Sequence, residues 1–328
     1  ETGTIGAVFL IKLDIDGNIV WKRQFGPPND IEIRAIRTDL EGNCYIVGYT
    51  SEPFGNQQGF GGEDAFLVKF TGSGELAWVK ILGTSQTDRA EALTIDEEGS
   101  CYVTGTTGGG SGRRSSPPAV LLTKYDPNGV LIWESKPEIT NAETGQAISI
   151  LPDGNIVTAG LPGYMARLDP NGVLIDASTV SLGHCSHMTF DDQGSLYACG
   201  ARQASNWTAH VQKHDPNGLL LWHKTFRDTG WVGAKSIVMC TDGSGEVLMG
   251  GCQQAGSKCQ AFCRRFDSEG NQTFRYDHPG DTCGNGVGVD GLGSCLLTAY
   301  IGPSGGILAV KLGVPDQTVQ TEHTGVNY

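Results

Sequence analysis

Short apolar runs broken by polar, glycine-bearing turns set the pattern of this chain. Residues 121–133 show it most plainly: Leu-Leu-Thr-Lys-Tyr-Asp-Pro-Asn-Gly-Val-Leu-Ile-Trp. Apolar and β-branched flanks around Asp126-Pro127-Asn128-Gly129 predict two strands joined by a tight turn, since Pro presets φ, Asp bonds its own backbone and Gly accepts positive φ. The design recurs at 9–21 around Asp14-Ile15-Asp16-Gly17, at 66–78 around Thr71-Gly72-Ser73-Gly74, at 164–176, at 210–222, and at 262–274 around Asp267-Ser268-Glu269-Gly270. A weaker seventh copy is 307–312. Each copy has one basic residue near the end of its first strand: Lys12, Lys69, Lys124, Arg167, Lys213, Arg265 and Lys311. These lie about 50 residues apart on average, a period that belongs to propellers and solenoids.

A second kind of hairpin alternates with the first. Residues 33–50 alternate small and apolar side chains, turn at Asp39-Leu40-Glu41-Gly42, and close on Gly48. Matching pieces are 90–107, 146–161, 185–202, 234–252 and 286–301. One unit is therefore four short antiparallel strands, with the small-residue strand expected innermost and the Trp-bearing strand outermost. No segment keeps helical periodicity, and no apolar run approaches the ~18 residues that span a membrane.

Residues 66–105 carry Phe66, Lys69, Gly74, Trp78, Ala92, Asp96, Gly99, Tyr102, Val103 and Gly105 in register. In this the chain resembles the SBBP family of β-propeller repeats, from Val8 to Leu312. The resemblance implies an all-β propeller of four-stranded antiparallel blades and leaves function open, because propellers host unrelated activities. Six small-residue strands predict six blades; seven Lys/Arg-bearing hairpins make seven the alternative. The N-terminal hairpin is expected to close the ring, hiding sheet edges. Residues 1–3 fit no repeat and read as a remnant left after removal of a secretion signal. Residues 4–313 read as one propeller domain, and 314–328 as an edge strand and tail.

Composition adds compartment and partner class. Glycine at 48 of 328 residues suits a fold with frequent turns. A net charge of −13 argues against nucleic acid. Ten cysteines, with sequons at Asn206 and Asn271, lean toward a secreted or extracellular protein. Cys252 with Cys259, and Cys185 with Cys199, are the expected disulfides.

The Asp-x-x-Gly turns at one end of the blades are short and interchangeable, so they read as structure. The loops at the other end vary, as in 51–64 and 108–118, and binding tends to live on such loops. Trp207 and Trp231 break the repeat, and Phe54 and Phe60 lie in the first insert; exposed aromatics there could stack on a sugar or anchor a protein. Asp30, Asp88, Glu143 and Asp281 recur at the entry to the innermost strand, where converging carboxylates could take a basic peptide or a calcium ion. Arg113 and Arg114 sit in a glycine-rich loop of the same end. Asp14 to Asn18 resembles a calcium loop only faintly, because Arg23 stands where the motif needs Glu. No nucleophile elbow, phosphate loop or zinc spacing occurs, so no catalytic or metal-binding residue is assigned and no cofactor is required. The expected function is a ligand-binding module for a glycan or protein. Its alternatives are a carbohydrate-active hydrolase or lyase using the acidic ring, and a structural adhesion segment.

Overall fold

The computed structural model describes residues 8–14, 18–27, 30–109, 117–182, 185–203, 207–226, 232–240, 245–255, 258–278, 281–289, 295–301 and 306–312. A hairpin of β1 (Val8–Leu13) and β2 (Ile19–Phe25) comes first. The first blade is β3 (Ile31–Thr38), β4 (Cys44–Thr50), β5 (Asp64–Phe70) and β6 (Leu76–Leu82). The second is β7 (Thr87–Ile95), β8 (Cys101–Gly109), β9 (Ala119–Tyr125) and β10 (Leu131–Ser135). The third is β11 (Thr144–Ile150), β12 (Ile156–Leu161), β13 (Tyr164–Leu168) and β14 (Leu174–Thr179). The fourth is β15 (Cys185–Phe190), β16 (Leu196–Gln203), β17 (Trp207–His214) and β18 (Leu220–Phe226). The fifth is β19 (Val232–Met239), β20 (Val247–Ala255), β21 (Lys258–Phe266) and β22 (Gln272–Asp277). Last come β23 (Thr282–Val289), β24 (Cys295–Ile301) and β25 (Gly306–Leu312).

Five four-stranded antiparallel blades are thus complete, which corrects the expected six or seven. Among the described residues β1 and β2 pair only with each other, and β23, β24 and β25 form a three-stranded sheet. Counting hairpins overcounted blades because a hairpin copy becomes a blade only when its neighbouring hairpin hydrogen-bonds to it. Among the described residues the N-terminal hairpin is hydrogen-bonded into no other sheet, so the closing role expected of it is not seen.

The chain divides into two compact units, 1–178 and 179–328. In each, the core lies between neighbouring sheets. In the first unit Tyr45, Val47, Ala65 and Leu67 of one blade meet Ala90, Leu93, Cys101 and Val103 of the next. In the second, Tyr197, Cys199 and Val211 meet Ile237, Met249 and Phe262. Alternate side chains of a strand face opposite sheet sides, so central strands such as β4 and β5 are buried on both faces and read as continuous apolar runs.

The Asp-x-x-Gly turns are structural, as their regularity predicts. In Asp126 the carboxylate accepts from the amides of Asn128 at 2.9 Å and Val130 at 2.7 Å, while Gly129 takes φ 77°. Where the repeat carries its Trp, the side chain ties its sheet to a turn of the next one. The indole Nε1 groups of Trp21, Trp78, Trp133 and Trp222 donate to the carbonyls of Gly72, Pro127, Pro170 and Ser268 at 2.9–3.2 Å. The repeated Lys joins this contact: Lys69 Nζ donates to the Pro127 carbonyl at 3.0 Å and lies 4.9 Å from the centre of the Tyr45 ring.

Candidate functional site

Each of the six first strands from β3 to β23 carries a β-bulge at one repeat position. Pairing slips between Ile33 and Ala35, Ala90 and Ala92, Gly145 and Ala147, Cys185 and His187, Ala234 and Ser236, and Gly284 and Gly286. A bulge bends the strand and re-aims a side chain. It also explains the glycine that closes the second strand of the repeat. A Cβ on Gly48 would lie 1.8 Å from the Glu32 carbonyl oxygen, and one on Gly105 would lie 1.9 Å from that of Arg89.

In the first unit two bulge residues meet. Arg34 on β3 reaches Glu91 on β7, Nε to Oε2 at 3.2 Å, and Glu32 Oε1 at 3.0 Å. Glu32 also accepts a short hydrogen bond from the Tyr49 hydroxyl, and Arg34 Nη2 donates to that hydroxyl at 3.4 Å. The Tyr49 ring has two cations against it, the Arg34 guanidinium at 5.3 Å from its centre and that of Arg89 at 4.7 Å. Glu63 holds Arg89 through Nε at 2.6 Å and Nη2 at 2.5 Å. Five charged groups and one aromatic, from two blades and the 51–63 loop, form one connected network at the variable-loop end. Burial raises the Glu91 carboxyl above its ordinary pKa, opposed by Arg34 and Arg89. Burial, then the Glu32 hydrogen bond, raises the Tyr49 hydroxyl. The network remains open to solvent, with the side chains of Glu32 and Arg34 51% and 35% exposed.

The expected contact residues divide. Asp30 is exposed and accepts a short hydrogen bond from Ser51. Phe60 is exposed, and its amide donates to Asp64 at 3.0 Å. Phe54 is not available, because it is buried against Phe66 with ring centres 5.4 Å apart and covers the loop's own core. Asp88 is fully buried. Its carboxylate accepts from Thr84 N at 2.7 Å, Thr84 Oγ1 at 2.9 Å, Thr107 Oγ1 at 2.5 Å and Gly108 N at 3.2 Å, so it ties the loop before β7 to the end of β8. Glu143 and Asp281 are exposed. Trp207 lies on β17 with its side chain outside the described residues; Trp231, Arg113, Arg114 and Asn206 are also outside them. Asn271 is exposed, with Nδ2 donating to Asp267 at 2.9 Å. Sequence reasoning missed Arg34, Tyr49 and Arg89, which lie on strands read only as blade scaffold.

The expected disulfides are corrected too, since none of the cysteines is joined in one. Cys185 stands opposite Gly200 rather than Cys199, and its thiol donates to the carbonyls of His187 and Cys199. Cys252 stands opposite Ala261, with Cys259 two residues along the partner strand, and the Cys259 sulfur also meets that of Cys283 at 3.1 Å.

The bulge, its glycine and the Trp-to-turn contact give the repeat its physical definition, and comparison agrees. Residues 20–55 and 77–112 match the SBBP β-propeller repeat. Solved structures share the fold of this chain. The Pan2 WD40 domain of Neurospora crassa aligns over 90% of this chain and 82% of that one, at 13% identity and TM-score 0.57. A streptogramin B lyase aligns over 90% and 84%, at 12% identity and TM-score 0.57. A Bacteroides caccae protein of unknown function aligns over 83% and 94%, at 13% identity and TM-score 0.52. Among curated proteins, none matches the sequence.

Proposed function

We propose that this protein is a binding module that takes a basic segment of a protein partner at the Tyr49 network. The fold is neutral on the point, because similar folds occur in a WD40 domain and in a lyase. The observation that carries the reading is the preassembled network itself. Glu32, Glu63 and Glu91 outnumber Arg34 and Arg89. Salt bridges and the Tyr49 stack hold these groups before any ligand arrives, which lowers the ordering cost of binding. The chain's charge of −13 draws a cationic partner from a distance. Asp88 supports a binding rather than a hydrolytic reading, since its buried carboxylate is engaged by Thr84, Thr107 and Gly108 and so ties a loop to β8. The sequons at Asn206 and Asn271 support an extracellular setting, which a glycosidase-sensitive shift in mobility would test.

Binding to a peptide array tests the reading. Peptides rich in Lys and Arg should be retained, and the Glu32→Gln, Glu63→Gln double variant should weaken their binding by roughly tenfold or more, about 1.4 kcal/mol. Retention of glycans on a parallel array, with no peptide retained, would overturn it.

A further inference from the structure

In the second unit three thiols converge. The sulfurs of Cys252 on β20, Cys259 on β21 and Cys283 on β23 all lie within 4.8 Å of one another, and Cys259 and Cys283 are 3.1 Å apart. Cys252 is buried and donates to the Gly284 carbonyl at 3.3 Å, while Cys259 and Cys283 are half-buried. Other cysteines behave differently. Cys44 and Cys101 stand at one repeat position, the start of the second strand, where they pack as small apolar groups in the cores.

The place of this cluster in the repeat is informative. Tyr49 and Cys252 each follow the glycine opposite the bulge, Gly48 and Gly251. Glu63 lies two residues before Ala65, the partner of Tyr49; Cys259 lies two before Ala261, the partner of Cys252. Arg89 and Cys283 each directly precede the bulge of the next sheet, at Ala90 and Gly284. The three cysteines therefore occupy the positions held by Tyr49, Glu63 and Arg89 in the first unit. The scaffold brings those positions together in both places, and only the side chains differ.

We propose that Cys252, Cys259 and Cys283 form a three-thiolate site for a thiophilic cation of the zinc class. A zinc–sulfur bond of ~2.3 Å puts tetrahedral or trigonal ligands ~3.8–4.0 Å apart. The cluster's spread of up to 4.8 Å needs only small side-chain rotations to reach that geometry. Sulfur is the ligand that selects such ions over magnesium or calcium. Binding converts three thiols to thiolates, so one cation enters and three protons leave, with no change of oxidation state. The cation displaces the thiol protons, so affinity rises with pH. Sequence spacing hid the site, because its ligands come from strands of two sheets rather than from a Cys-x-x-Cys knuckle.

Cobalt(II) titration of the reduced, full-length protein tests this, as does zinc stoichiometry by elemental analysis. The expected result is a thiolate-to-cobalt charge-transfer band that saturates at one equivalent and is displaced by zinc. Cys283→Ser should abolish the band and weaken zinc binding by more than ~10-fold, with its circular dichroism unchanged, while Cys185→Ser should leave both intact. Absence of the band, or its persistence in Cys283→Ser, would overturn the proposal. A Cys259–Cys283 disulfide that forms in air despite added zinc would also overturn it.

Discussion

At Gly48 one added carbon would meet the Glu32 carbonyl oxygen at 1.8 Å, a contact with backbone that no side-chain rotation relieves. Gly48→Ala should therefore lower unfolding free energy by at least ~2 kcal/mol in denaturant melts, at the large end for single substitutions. An effect as small as that of a surface alanine would show that the bulge can be abandoned. Asp64 sets a second test at this scale. It is buried, burial raises its pKa above the ordinary carboxylate range, and the amides of Phe60 and Gly61 only partly offset this. A carboxyl whose folded pKa exceeds its unfolded one contributes stability below the unfolded pKa and loses it as pH rises through the folded value. Asp64→Asn should then gain on the wild type as pH rises from acid toward neutral, in paired thermal melts at each pH. A gain confined to acid pH would reverse the sign.

At the scale of elements, the Trp, Lys and turn carbonyl of adjacent hairpins act as one joint. Trp78→Phe removes the Nε1 bond to Pro127 and should cost about 1 kcal/mol, measured as a shift of denaturant midpoint at constant slope. No shift would mean that water replaces the bond without loss. Much of this joint was legible: the spacing of Trp78, Lys69 and Gly74 placed strands and turns before any coordinates. The bulges were not, because a residue inserted at Arg34 or Glu91 leaves the alternating pattern intact on either side. Phe54 misled for a related reason. A loop aromatic off the repeat reads as exposed, yet this loop folds back and builds its own core against Phe25 and Phe66.

For the whole molecule, the repeat dictated the blade and not the number of blades. Whether a terminal hairpin joins a sheet depends on contacts between distant parts of the chain, and no local pattern encodes them. The same separation hid both polar clusters. Tyr49, Glu63 and Arg89 are scattered in sequence, as are Cys252, Cys259 and Cys283, and each set is assembled by inter-sheet packing. Net charge was legible from the start, and the central claim turns on it: an acidic protein holds a basic partner segment at the Tyr49 network. The most direct measurement is the affinity of array-selected Lys/Arg-rich peptides for the wild type and for Glu32→Gln, Glu63→Gln, at low and at high salt. A double variant of Glu97 and Glu98, exposed on a turn of the second blade, serves as the charge-matched control. Tight wild-type binding that salt weakens, lost in the first variant and kept in the control, is the predicted result. Equal loss in both variants would reduce the attraction to net charge alone and contradict a site at Tyr49.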